Sequence, residues 1–108
     1  MKAAKLNICD VPYGITTNKE VKASDGRQLA GEIDYYKRVI RLRDDLPKHI
    51  GPEVLAHEIA HGVMAEGGAR TAFTEQQQEI ACDIAGVVAR IMLNNLKAVE
   101  ATIEAIGK

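Results

Sequence analysis

The chain has 108 residues, and 14 basic against 15 acidic side chains leave it a formal net charge of −1. That length predicts a single domain over residues 1–108 with a modest core, and the near-zero charge offers no field to draw a nucleic acid or an anionic membrane surface. No apolar run approaches the ~18 residues of a membrane span, and Met1-Lys2-Ala3-Ala4-Lys5 is not followed by the apolar core of a signal peptide, so a cytoplasmic chain with Cys9 and Cys82 as free thiols is expected.

Leu6-Asn7-Ile8-Cys9-Asp10-Val11 alternates apolar and polar residues, the period of a half-buried strand, which Pro12 and Gly14 are expected to end. Thr16 to Gln28 is polar, carries a turn signal at Ser24-Asp25-Gly26, and reads as a loop. Leu29 to Tyr35 and Arg38 to Arg43 are strand-like runs around Tyr36-Lys37, with Ile33, Val39, Ile40 and Leu42 as apolar members and a hairpin as the simplest connection. Asp44-Asp45-Leu46-Pro47 closes this region.

A helix opens at Gly51-Pro52-Glu53, with proline at its first position and an acid in its first turn. His57 and His61 lie four residues apart in it, on one side and about 6 Å apart along the axis, so both imidazoles can reach one metal ion. Glu58 is turned roughly 100° from His57 and falls beside such an ion, where a carboxylate can take a proton from zinc-activated water. Val54, Leu55, Ile59 and Val63 form an apolar stripe on another face, and Gly67-Gly68 suit a left-handed stop. His49 precedes the helix and is expected to be a solvated loop residue.

Thr74-Glu75-Gln76-Gln77 is a capping box that starts a second helix. Its Ile80, Ile84, Val87, Val88, Ile91 and Met92 cover a wide face, which predicts a largely buried helix. Glu79 and Asp83 share one face of it at i and i+4. Cys82 is expected to be a small buried apolar residue and not a metal ligand, and Gly86 to admit close approach of the histidine helix. After Asn94-Asn95, Leu96, Val99, Ile103 and Ile106 recur at helical spacing, predicting a third, amphipathic helix packed on the core.

The run His57-Glu58-Ile59-Ala60-His61 followed by Glu79-x-x-x-Asp83 resembles the gluzincin metallopeptidases, the thermolysin-like class. The short layout of hairpin, histidine helix and glutamate helix is similar to the minigluzincins and to the small ImmA/IrrE-type proteins of mobile elements, over roughly residues 30 to 95. The resemblance implies a zincin-like α+β domain: a small, mainly antiparallel sheet beside the two helices, with a C-terminal helix. It implies Zn2+ held by His57, His61 and Glu79, Glu58 as general base, Asp83 orienting His57, and a peptide or protein substrate lying along the sheet edge. Minigluzincins add the possibility that the C-terminal tail covers the cleft and keeps the enzyme latent.

Thermolysin-like enzymes stabilise the oxyanion with a Tyr and a His from segments this chain lacks. Tyr13, Tyr35, Tyr36, His49 and Arg70 are the available substitutes, and their spacing selects none. Two alternatives to a free-standing peptidase stay open. One is an ImmA/IrrE-type regulatory protein that acts on one specific repressor and needs that partner; the other is a binding module in which zinc only ties two helices together. Glu58 argues against the latter, because structural zinc sites are closed by a fourth protein ligand and have no use for a base.

Overall fold

The computed structural model describes residues 3–67 and 72–106. The elements in chain order are β1 (Ala3–Ile8), β2 (Val11–Asn18), β3 (Gly31–Asp34), β4 (Val39–Arg43), α1 (Gly51–Glu66), α2 (Glu75–Asn94) and α3 (Leu96–Ala105). The chain is therefore α+β. Its four-stranded sheet has the order β1-β2-β4-β3 and is mixed: β1/β2 and β3/β4 pair antiparallel, while the central β2/β4 pair is parallel. Because β4 inserts beside β2, β3 is left at an edge.

Alternation along the strands produces one apolar face. The register aligns Ile15, Ile40 and Ile33 across three strands, with Tyr13 opposite Leu6 and Ile8 opposite Val11. Ile8, Tyr13, Ile40 and Leu42 are buried there, and α1 lays Val54, Leu55 and Ile59 against them. The other face is polar, with Arg41 bonding Glu32 at 3.0 Å and standing 3.7 Å from Asp34. Helix and sheet meet closely because Gly62 lacks a side chain: a Cβ there would lie 2.7 Å from Ile8 Cδ1 and 3.1 Å from Ile33 Cδ1.

Several sequence expectations are corrected. Leu6–Val11 is not one strand; the chain reverses at Cys9-Asp10, both at positive φ (50° and 67°), as a two-residue hairpin turn requires. Cys-Asp lacks the usual Asn-Gly signal for such a turn. Pro12 does not end the strand, because it faces Asn7 in a pair whose N–H would point away from β1, and pairing with β4 begins only at Gly14. The loop starts after Asn18, and Val21 within it is buried, its carbonyl accepting from Leu29 N–H at 2.7 Å. The second hairpin falls where expected, with Asp34 opposite Val39.

α1 starts at Gly51 with Pro52 in its first turn, and its C-terminal Gly67 has φ −84°, so it is not the left-handed stop the sequence led one to expect; Gly68 lies outside the described residues. The capping box of α2 is complete, with Gln77 N–H donating to Thr74 Oγ1 at 3.1 Å and Thr74 N–H to Gln77 Oε1 at 2.9 Å. This helix meets α1 through Gln78, Cys82 and Gly86, one stripe at i, i+4 and i+8. The broad apolar face expected to be buried is exposed instead, from 39 % at Val87 to 60 % at Ile84. Periodicity marks an apolar face without saying what covers it, and the small-residue stripe won the contact with α1. Val63 is likewise exposed, and α3 contributes no buried residue, so it does not pack on the core.

Tyr13 ties the sheet to the end of α1. Its ring is buried and its hydroxyl donates to Glu66 Oε2 at 2.6 Å; burial and the neighbouring carboxylate push its pKa up to about 12, so it stays a donor throughout the neutral range. Tyr13→Phe should leave the fold intact and lower unfolding stability by about 1.5–3 kcal/mol, read from urea denaturation, the range for a hydrogen bond to a charged partner.

Candidate metal centre

α1 projects His57 and His61 from one side, their ring centroids 4.9 Å apart, and α2 runs alongside with Glu79 one turn from its start. His61 Nε2 lies 2.8 Å from Glu79 Oε1, and His57 Nε2 lies 3.4 Å from Glu79 Oε2. One donor atom from each of the three residues falls within 4.8 Å of the others. Donors held ~2.0–2.2 Å from one tetrahedral ion stand roughly 3.4 Å apart, so this nitrogen, nitrogen, oxygen set could hold a metal ion.

The other ring nitrogen of His57 is engaged separately: Nδ1 is 2.9 Å from Asp83 Oδ1. Asp83 thus engages Nδ1, which leaves Nε2 as the ring nitrogen that faces Glu79. The imidazoles are sheltered, with side chains 20 % and 14 % exposed, whereas Glu79 and Asp83 are 57 % and 70 % exposed. The donor set is thus rooted in the core on one side and open to solvent on the other.

Glu58 is buried at 8 % exposure, within α1 beside His57. Burial lifts its carboxyl pKa to about 7; the nearby His57 opposes the shift, and Glu79 and Glu32 add to it. With the protein's own charges alone, this group exchanges a proton near neutrality, as a general acid or base must.

A cleft of about 390 Å³ opens beside these groups, lined by His57, Glu58 and Asp83, by Glu53 and Val54 of α1, by Gly86 and Val87 of α2, and by Leu29, Ala30 and Gly31 at the start of β3. The sequence expectation for Gly86 holds, since a Cβ there would lie 2.8 Å from the Glu53 carbonyl oxygen. One turn on, the Arg90 guanidinium stands over the Glu53 carboxylate, Nη1 3.0 Å from Oε1, as an ion pair between the helices, while buried Oε1 has no hydrogen-bond partner among the described residues. This ion pair and the Leu29–Gly31 wall escaped the sequence analysis. Gly86, followed by Arg90 at i+4, was the available signal for the first; nothing local marks the second.

Cys82 is fully buried and stands outside the donor set, and burial first, then Glu79, Glu58 and Asp83, push its thiol up to about 11. Of the residues considered as oxyanion donors, Tyr13 is in the core, Tyr36 is 96 % exposed in the β3–β4 turn, His49 is exposed before α1, and Tyr35 does not line the cleft. Arg70 lies outside the described residues. No α3 residue lines the cleft either, so the described tail does not cover it. No described helix is long and apolar enough to cross a membrane. Comparison with protein-family models, with curated proteins and with solved structures finds no match to this chain.

Glu79 touches both imidazoles and Asp83 only the far nitrogen of one, so their substitutions should differ. In a zinc titration Glu79→Gln is expected to lose stoichiometric binding, whereas Asp83→Asn retains it with affinity weakened ~10–100-fold. The reverse ranking would exchange their roles.

Proposed function

We propose that this chain is a zinc-dependent peptidase, with His57, His61 and Glu79 as metal ligands and Glu58 as general base. The observation that carries the proposal is a buried carboxylate poised near neutrality beside a His-His-Glu donor set whose first imidazole is fixed by Asp83. A zinc ion held by His57, His61 and Glu79 would supply Lewis acidity for a carbonyl and for water at neutral pH. Asp83 holds the His57 ring in one orientation through Nδ1. Glu58 accepts a proton as water oxygen bonds to the amide carbon, then returns it to the nitrogen as the C–N bond breaks.

The sheet edge supports a peptide substrate. Arg43 N–H donates to Ala30 carbonyl at 2.9 Å, which makes Ala30/Arg43 a bonded pair and turns the N–H and C=O groups of Gly31 and Ile33 away from β4. Gly31 also lines the cleft, so an extended peptide adding to β3 would pass His57 and Glu58.

A second reading is an ImmA/IrrE-type protein that acts only with a specific partner. It is favoured by one observation: among the described residues, the cleft lining includes no Tyr, His, Arg or Lys besides His57 itself to stabilise an oxyanion. A purely structural zinc module is disfavoured by the burial of Glu58, which costs stability and serves no purpose in a closed site.

Glu58→Gln preserves shape while removing the base. It should keep bound zinc and a native circular dichroism spectrum but lower peptide hydrolysis by ~10²–10⁴-fold, measured on mixed peptide libraries by mass spectrometry. Undiminished cleavage would remove Glu58 from the mechanism, and an inert, zinc-loaded wild type would favour the partner-dependent reading.

A further inference from the structure

α2 carries two apolar faces on opposite sides. The narrow one is covered by α1, whereas Ile80, Ile84, Val87 and Ile91 on the other are 55 %, 60 %, 39 % and 55 % exposed. These four follow one another at steps of four, three and four residues, the alternation of a coiled-coil seam. Such a seam is completed by a second helix, and α3, which contributes no buried residue, does not supply it. We propose that the occupant is α2 of a second copy of this chain, laid antiparallel about a twofold axis.

The seam is complementary to itself in that direction. Setting Ile84 against the partner's Val87 also sets Ile80 against the partner's Ile91, so all four layers close in one register and α2 overlaps its mate from Gln77 to Asn94. The same register brings Asp83 and Arg90 beside the partner's Arg90 and Asp83, two opposite-charge pairs flanking the seam. A parallel pair would place Asp83 beside the partner's Val88 and Arg90 beside the partner's Asn95, with no charge pairing. Within one chain Arg90 forms an ion pair with Glu53 and Asp83 pairs with His57, yet these side chains are 37 % and 70 % exposed, leaving guanidinium donors and carboxylate lone pairs for a neighbour.

Apolar exposure continues beyond the seam, with Val88 and Met92 49 % and 45 % exposed and Leu96 and Ile103 46 % and 60 % exposed, more than single scattered surface residues leave. The radius of gyration, 14.9 Å, exceeds the ~13 Å of a compact chain of this length, as befits a protomer with an uncovered helical side. Glu79 and Asp83 lie about a quarter turn from the seam, so the partner helix borders the metal centre. This inference does not depend on the peptidase reading.

Light scattering on the full chain at micromolar concentration should give about twice the 11.7 kDa protomer mass. Ile84→Glu, at a position exposed in the single chain, should give the single mass with its helical circular dichroism unchanged. In a Cys9→Ser background, oxidising a mixture of Ile80→Cys and Ile91→Cys chains should yield the mixed disulfide, while neither chain alone should link, because like positions stand ~16 Å apart in this register. A single-chain mass for the wild type, an unchanged mass for folded Ile84→Glu, or an Ile80→Cys chain that links to itself would overturn the proposal.

Discussion

The site depends on a backbone contact. Where α1 passes α2, only a hydrogen at Gly86 separates the helices, since a Cβ would stand 2.8 Å from the Glu53 carbonyl oxygen. That proximity brings Glu79 within reach of both imidazoles and Asp83 within 2.9 Å of His57 Nδ1. A second close approach, Gly62 over Ile8 and Ile33, seats α1 on the sheet and places β3 beside the histidines. Helix spacing, and not the donor residues alone, decides whether His57, His61 and Glu79 act as one cluster.

α2 is asked to do two things, and its sequence divides accordingly. Gln78, Cys82 and Gly86 are chosen for fit against α1, while Ile80, Ile84, Val87 and Ile91 are chosen for area. Burial against α1 also keeps Cys82 a neutral thiol next to three carboxylates, so sulfur does not compete for the donor set. The acids that face the histidines sit between these two stripes, which ties the metal centre to whatever covers the outer one.

The local signals were legible before any coordinates. Pro52 in the first turn of α1 and the Thr74–Gln77 capping box are short-range chemistry and were read correctly, and the structure brings His57, His61, Glu79 and Asp83 together across two helices. The β3–β4 hairpin and the solvated His49 were read correctly for the same reason. What escaped was long-range or depended on unusual turn chemistry. The Cys9-Asp10 turn uses positive φ at residues that rarely adopt it, and it hid β2 inside an apparent loop. The exposure of α2 and α3 could not be read from periodicity, because the same pattern serves a core and an interface. No local feature reports that β4 pairs with β2 and leaves β3 at the edge.

In the proposed function the clasp between α1 and α2 holds zinc through two imidazoles and a carboxylate. X-ray absorption at the zinc edge, on protein reconstituted with one equivalent of the metal, tests it directly. The expected spectrum shows nitrogen and oxygen alone around the metal, with multiple scattering from two imidazoles that disappears in His57→Ala/His61→Ala. Sulfur in the first shell, or zinc retained with an unchanged spectrum in that double variant, would contradict it.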